Sequence, residues 1–195
     1  MQKAPPKQTL KRRILITILL FLVSYFVFLV LWIQVKDRYG YAVTSLVSEL
    51  IPLIQNVRFE EMKTEKGWIV VTFSRPIKRQ GDLLMDILVK TSSYTFNAPL
   101  TFGIMAALFP IIRNRWRAYM EALAILLGVH FLYVFSHESN QLITFLMQRG
   151  LEAVSRVRLY GYQFLWQFTD NMVIRFEPFL IGFYMFIRFR RQKGF

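Results

Sequence analysis

The chain has 195 residues, of which 54% are hydrophobic and 16% aromatic, and its formal net charge is +13. So high an apolar content, with 19 phenylalanines, is unusual for a soluble domain of this size. The sequence contains no cysteine, which excludes disulfides, thiolate nucleophiles, iron–sulfur clusters and cysteine-based zinc sites within it.

The positive charge is concentrated in three short clusters, each beside an apolar segment. The stretches between the clusters are near neutral: 36–94 carries +2 and 137–177 carries zero. This alternation is the positive-inside pattern of a multi-pass membrane protein. No nucleic-acid-binding motif accompanies the charge, so we expect contact with anionic lipid headgroups and no nucleic acid. The clusters comprise Lys3, Lys7, Lys11, Arg12, Arg13; Arg113, Arg115, Arg117; and Arg188, Arg190, Arg191, Lys193.

The first element is an apolar segment, 14–35, that follows a basic tail over 1–13. Its 22 uncharged residues predict a helix about 33 Å long, enough to cross a hydrocarbon core of about 30 Å. No small-residue cleavage site follows it, so the segment is predicted to be an uncleaved anchor.

The stretch 36–94 is predicted to form a small external α+β domain. Within it, 41–55 is amphipathic, and the alternating runs 57–63 and 68–74 flank a glycine-containing turn typical of a β-hairpin. The run 83–89 is too short for periodicity to distinguish a third strand from a short helix.

Three further apolar segments complete the predicted fold, a mainly α membrane protein with four transmembrane helices and an external α+β insertion between the first two. The charge pattern places both termini on the cytoplasmic side of the membrane. The remaining predicted segments are helix 95–112, a cytoplasmic loop 113–118, helix 119–136, an external amphipathic helical loop 137–171, helix 172–188 and a cytoplasmic tail 189–195.

His130 is the deepest ionisable residue of the predicted spans. A polar group at membrane depth is costly and often functional, which suggests proton relay or metal ligation. One histidine without a nearby carboxylate cannot hold a metal, so an imidazole hydrogen-bonded to a neighbouring helix is favoured, and no metal or cofactor is expected.

Ser136, His137 and Glu138 have the side-chain chemistry of a nucleophile, a base and an orienting acid. Successive residues of a helix point about 100° apart and do not converge, so a polar helix end is favoured over a catalytic set. His130 and His137 are one heptad apart and could share a helix face.

Three other polar positions complete the candidate site. Asn97 precedes Pro99 and is predicted to cap a helix, with a bond to a partner peptide or to the His130 helix as the alternatives. Arg175 and Glu177 are predicted to lie at the outer interface as ordinary interfacial charges, although they could cluster with His137 and Glu138. Elsewhere, Glu121 is expected to pair with Arg117.

The arrangement resembles the exosortase H-associated membrane proteins. The shared features are an anchor, a short external β segment, a helix opening within YTFNAPL (94–100), an arginine turn and a helix bearing His130. The resemblance implies a multi-pass protein of the bacterial inner (cytoplasmic) membrane that acts as an accessory of a sorting protease. Exosortases themselves use a cysteine with arginine and histidine, so no catalytic residue carries over to this cysteine-free chain.

The function expected from the sequence is therefore a non-enzymatic accessory or assembly subunit of a protein-sorting or export system. Its expected partners are membrane lipids and another integral membrane protein, such as the sorting protease. Two alternatives remain open: a membrane enzyme acting on lipid or peptide at the outer leaflet, and a small channel or carrier.

Overall fold

A computed structural model describes residues 10–77, 81–112, 115–151 and 155–189. The predicted tails 1–13 and 189–195 and the loop 113–118 therefore lie partly outside the described residues. The described chain is mostly helical, with one three-stranded sheet. Its elements are α1 (Leu10–Leu50), a 3-10 turn (Ile51–Leu53), β1 (Arg58–Glu65), β2 (Trp68–Ile77), β3 (Gly81–Val89), α2 (Thr91–Thr95), α3 (Ala98–Leu108), α4 (Arg115–Gln148), α5 (Arg156–Phe168), a π turn (Thr169–Val173) and α6 (Ile174–Phe189).

The anchor and the amphipathic segment after it form one helix, α1. The first helix is predicted to end at residue 35, but it continues, because hydropathy changes there while no residue stops the helix. The helix ends only at Leu50, before Pro52 in the 3-10 turn. From 14 to 35 most side chains are exposed, whereas Val43 and Val47 are buried against the rest of the protein.

The predicted hairpin is confirmed, and the third run is a strand. Antiparallel pairing places Glu65 opposite Trp68, so Lys66 and Gly67 form a two-residue turn. Both turn residues have positive φ, 47° and 83°, as a turn matching the twist of a hairpin requires. β3 then pairs antiparallel with β2, which gives the strand order β1-β2-β3.

One face of the sheet packs on the ends of α1 and α4 that carry residues 43–51 and 133–146. The interior residues there come from β2 and β3 as well as from both helices. α4 runs without interruption through the predicted boundary at 136, so the first part of the predicted external helical loop 137–171 is its continuation. A second core fills the other half of the molecule, between α3, α4 and α6; its buried members are Met105, Ile112, Ala118, Ala122, Leu126, Ile181, Met185 and Phe189.

Two of the described helical stretches are long and apolar enough to cross a membrane, Ile14–Leu53 and Arg115–Gln148. The four transmembrane helices expected from the sequence are thus not confirmed. The predicted helix 95–112 is divided near Asn97 into α2 and the 11-residue α3. The predicted helix 172–188 corresponds to α6, which has 16 residues and continues from α5 through the π turn.

Candidate functional site

His130 of α4 and Glu177 of α6 face each other in the protein interior. Both side chains are fully buried, and His130 Nε2 lies 3.2 Å from Glu177 Oε2. The direction of the contact falls outside hydrogen-bond geometry, so it is an electrostatic pairing of two enclosed groups. The predictions that Glu177 is an interfacial charge and that His130 lacks a nearby carboxylate are both wrong. Packing of α4 on α6 joins residues that are distant in the sequence.

Tyr39 of α1 contacts the other nitrogen of the imidazole. Its hydroxyl oxygen lies 2.7 Å from His130 Nδ1, the expected hydrogen bond to a neighbouring helix. If Tyr39 donates this bond, the imidazole proton is on Nε2, the nitrogen that faces Glu177. The rings of Tyr39 and Tyr94 both meet the imidazole edge-on, with centroids 5.6 and 5.5 Å away. The histidine is therefore fixed in orientation from three sides.

The second oxygen of Glu177 is bonded by α3. Thr101 Oγ1 lies 3.2 Å from Glu177 Oε1, and it also lies 3.3 Å from the carbonyl oxygen of Asn97. A hydroxyl has one hydrogen, so Thr101 donates to one of these acceptors at a time. Thr101 thereby ties α3 to α6 beside the His130 pairing.

Asn97 stands at the N-cap of α3, as predicted, but its side chain does not cap that helix. Instead its Nδ2 donates to the backbone carbonyl of Ile174 at 2.6 Å. That carbonyl lies four residues before Pro178, which has no N–H to donate to it within α6. The Asn97 side chain supplies the missing donor, so the capping prediction is wrong because a buried orphan acceptor competes for the amide.

Tyr94 joins α2 to α1. Its hydroxyl donates to the carbonyl of Gly40 at 3.2 Å, and burial raises the pKa of Tyr94 to about 12. The close approach requires the glycine, since a Cβ on Gly40 would lie 2.2 Å from a methyl carbon of Thr91. We call the enclosed polar group formed by Tyr39, Tyr94, Asn97, Thr101, His130 and Glu177 the junction site.

Residues 8–189 match the family model described as exosortase H-associated membrane protein. The chain belongs to this family. The match includes almost the whole sequence and confirms the resemblance expected from its layout and the YTFNAPL stretch. No curated protein and no solved structure matches the chain.

In this exosortase H-associated protein the predicted trio of Ser136, His137 and Glu138 diverges, as expected. Ser136 Oγ donates to the Tyr133 carbonyl, and Glu138 Oε1 accepts from Ser48 at 2.9 Å. The Leu88 carbonyl lies 3.0 Å from His137 Nε2. Each member thus contacts a different partner, and the three side chains do not converge.

His130 and His137 are separated by aromatic rings. Tyr94 stacks on Tyr133 with centroids 5.2 Å apart, and Tyr133 stacks on His137 at 6.3 Å. His137 also packs on Trp166 of α5, at 4.5 Å. The two histidines lie along one side of α4 but belong to different surroundings, since His130 faces Glu177 and His137 faces the sheet.

Glu138 is a second enclosed carboxylate, separate from the junction site. Its side chain is fully buried between α4 and α1, where Ser48 bonds one oxygen. The other oxygen has no hydrogen-bond partner among the described residues. Nearby, the Gln55 side chain donates to the Ser139 carbonyl at 3.2 Å, so polar contacts join α4 to the end of α1.

Arg175 is the one candidate residue of this group that is exposed. It lines a cavity of about 560 Å³ together with Asp170, Ser93, Phe96 and Ile174. Glu177 points inwards from the same helix, so the alternative in which Arg175 and Glu177 cluster with His137 and Glu138 does not occur. The expected ion pair of Arg117 with Glu121 is present at 2.9 Å, and Arg188 joins it at 3.2 Å.

The described residues do not bring three or more His, Asp or Glu side chains close enough to hold a metal ion. The junction site is closed to solvent at His130 and Glu177, so these groups can hold α4 against α6 but cannot touch a substrate in this conformation. Sequence reasoning missed Tyr39 and Thr101, which lie on helices distant in the sequence. One signal was readable: Pro178 inside a helix predicts an orphan carbonyl and therefore a polar partner for it.

Proposed function

We propose that this protein is a non-enzymatic accessory or assembly subunit of a bacterial inner-membrane protein-sorting system, acting beside its exosortase. Family membership carries the proposal, because the family is described by its association with an exosortase. The enclosed junction site supports it. His130 and Glu177, the groups that would have to perform chemistry, are buried and engaged with each other.

A multi-pass topology accompanies the proposal. α1 and α4 are the two long apolar helices, and α3 and α6 complete a four-helix membrane region with cytoplasmic termini. The sheet then lies outside. Support comes from the alternating charge, since the ion-pair group of Arg117, Glu121 and Arg188 marks the end of α4 opposite the sheet.

An apolar surface at the sheet-bearing end is the contact we infer for a membrane partner. We call it the apical patch, formed by Leu50, Leu53, Ile54 and Val157. Leu53 and Val157 are 79% and 83% exposed. Arg158 Nη2 lies 3.5 Å from the Ile54 carbonyl, which brings α5 beside the end of α1. Large apolar side chains exposed together beyond a membrane span are typical of protein interfaces.

The test is affinity purification of the tagged protein, expressed with its exosortase, in a mild detergent. We expect the exosortase to be recovered in a fixed ratio. Leu53→Glu and Val157→Glu together should reduce the recovery, because they place charges in the apical patch. Leu84→Glu is the matched control, since Leu84 is 61% exposed on β3 and outside the patch.

Recovery of a monodisperse protein without partner in several detergents would contradict the accessory role. Equal loss of the exosortase in the double variant and in Leu84→Glu would instead contradict the patch as the contact surface.

A further inference from the structure

Two cavities of different chemistry follow each other along α6, the upper one beside α2 and the lower one in the seam between α3 and α6. The upper cavity, of about 560 Å³, is lined by Ser93, Phe96, Asp170, Ile174 and Arg175. The lower one, of about 570 Å³, is wholly apolar in its side chains: Ile104, Leu108, Phe176, Phe179, Leu180, Gly182, Phe183 and Phe186 line it. A polar cavity above an apolar groove matches a lipid molecule, in which a polar headgroup is attached to apolar acyl chains.

The two cavities share one face of α6. On the α6 side, Arg175, Phe179, Gly182 and Phe186 follow one another at spacings of three and four residues, so they lie above each other. From Arg175 to Phe186 the helix rises about 16 Å, close to the depth of one hydrocarbon leaflet, about 15 Å. The groove is therefore long enough to hold one acyl chain along α6.

The groove has its shape because α3 and α6 meet at a glycine. A Cβ on Gly182 would lie 2.6 Å from Ile104 Cγ2, so the two helices touch there without an intervening side chain. The rings of Phe179 and Phe183, 61% and 65% exposed, stand along the groove. Aromatic and aliphatic walls with no polar side chain fit a hydrocarbon chain and exclude a charged peptide.

The upper cavity presents charges of both signs. Arg175 is exposed and is not paired with a carboxylate among the described residues, so its guanidinium is available to a phosphate. Asp170, half-buried on the π turn and hydrogen-bonded to the Tyr133 side chain, offers a further acceptor in the same cavity, which Ser93 also lines. A ligand with phosphate alone would meet the Asp170 carboxylate unfavourably, whereas a zwitterion satisfies both charges.

We propose that this seam binds one phospholipid of the outer leaflet whose headgroup carries a phosphate and a primary ammonium group, as phosphatidylethanolamine does. Arg175 binds the phosphate, Asp170 accepts from the ammonium group, and one acyl chain lies in the groove between α3 and α6. The leaflet follows from the proposed topology. The binding itself does not depend on an exosortase partner.

Native mass spectrometry tests the proposal on the full-length protein in micelles with equal amounts of phosphatidylethanolamine, phosphatidylcholine and phosphatidylglycerol of identical acyl chains. We expect phosphatidylethanolamine to be retained preferentially. Arg175→Gln should lower its retention about tenfold, the effect of one lost charge-assisted hydrogen bond. Asp170→Asn should keep phospholipid binding but lose the preference for the primary ammonium. A short-chain analogue should be retained less, because it leaves the groove unfilled.

Arg156→Ala is the matched control, an exposed arginine on the same helical run that does not line the cavity. Because Asp170 lies near the Tyr133 hydroxyl, the melting temperature of each variant is recorded, and Ser93→Ala provides a second, milder change in the same cavity. Equal retention of all three lipids, an unchanged spectrum for Arg175→Gln, or a co-purifying polypeptide in place of lipid would each overturn the proposal.

Discussion

At the scale of single residues, the arrangement of Asn97 and Pro178 shows how a local defect is repaired from a distance. The proline leaves the Ile174 carbonyl without its helical donor, and the asparagine amide supplies one at 2.6 Å. Neither residue alone indicates the pairing. Asn97 before Pro99 has the sequence of a helix cap, and the competing acceptor lies on a helix that folds back only in the tertiary structure.

We predict that Asn97→Ala destabilises the protein by about 1–3 kcal/mol, the cost of leaving a buried acceptor without a partner. In a Pro178→Ala background the helix provides its own N–H, so the same asparagine change should cost clearly less. Unfolding of the four proteins by denaturant in mixed micelles measures the difference. Equal costs in both backgrounds would show that Asn97 does not act through the Ile174 carbonyl.

The His130–Glu177 pairing gives a second prediction at this scale. His130→Leu leaves Glu177 enclosed without its partner and should cost about 3–5 kcal/mol. The double change His130→Leu with Glu177→Leu removes both polar groups and should recover much of that loss. Thermal unfolding in detergent distinguishes the cases. If the double variant were less stable than either single one, the two residues would be contributing separately.

At the scale of elements, the close contacts between helices depend on particular glycines. Gly40 lets α1 approach α2, and a Cβ there would lie 2.2 Å from the Thr91 side chain. Gly128 of α4 has nothing within 4 Å of the corresponding position. Both glycines lie inside long helices, but only Gly40 is needed for a close contact between helices.

This contrast predicts opposite signs for one substitution. Gly40→Ala should destabilise by about 1–3 kcal/mol through overpacking. Gly128→Ala should stabilise by about 0.5–1 kcal/mol, because alanine is the better residue within a helix. Melting temperatures of the two variants against the wild type provide the measurement, and a stabilising Gly40→Ala would contradict the close α1–α2 contact.

The elements also show which parts of the fold are predictable from sequence. The hairpin was predictable because its signals are local: alternating side chains and a glycine turn within a few residues. The continuity of α1 was not predictable. The sequence changes from apolar to amphipathic at residue 36, but that change reflects what surrounds the side chains and does not indicate that the helical backbone ends. The burial of Glu177 was not predictable either, since its partner His130 is provided by tertiary packing.

At the scale of the whole molecule, the topology is open to direct test because the chain has no cysteine. Leu84→Cys places one thiol on the sheet and Trp116→Cys places one near the start of α4; both positions are well exposed, 61% and 77%. With the proposed orientation, an impermeant maleimide should label the first variant in intact spheroplasts and the second only after permeabilisation. Labelling of both from outside would contradict the orientation.

The unbroken course of α1 has a mechanical consequence. Its 41 residues form a rod about 60 Å long, of which about 33 Å is the apolar 14–35 segment. The remainder carries the sheet on its side, with no hinge between the two parts. In the proposed orientation the sheet is therefore held at a fixed height above the bilayer. A partner protein must present its contact surface at that height, so the length of α1 limits which proteins can bind.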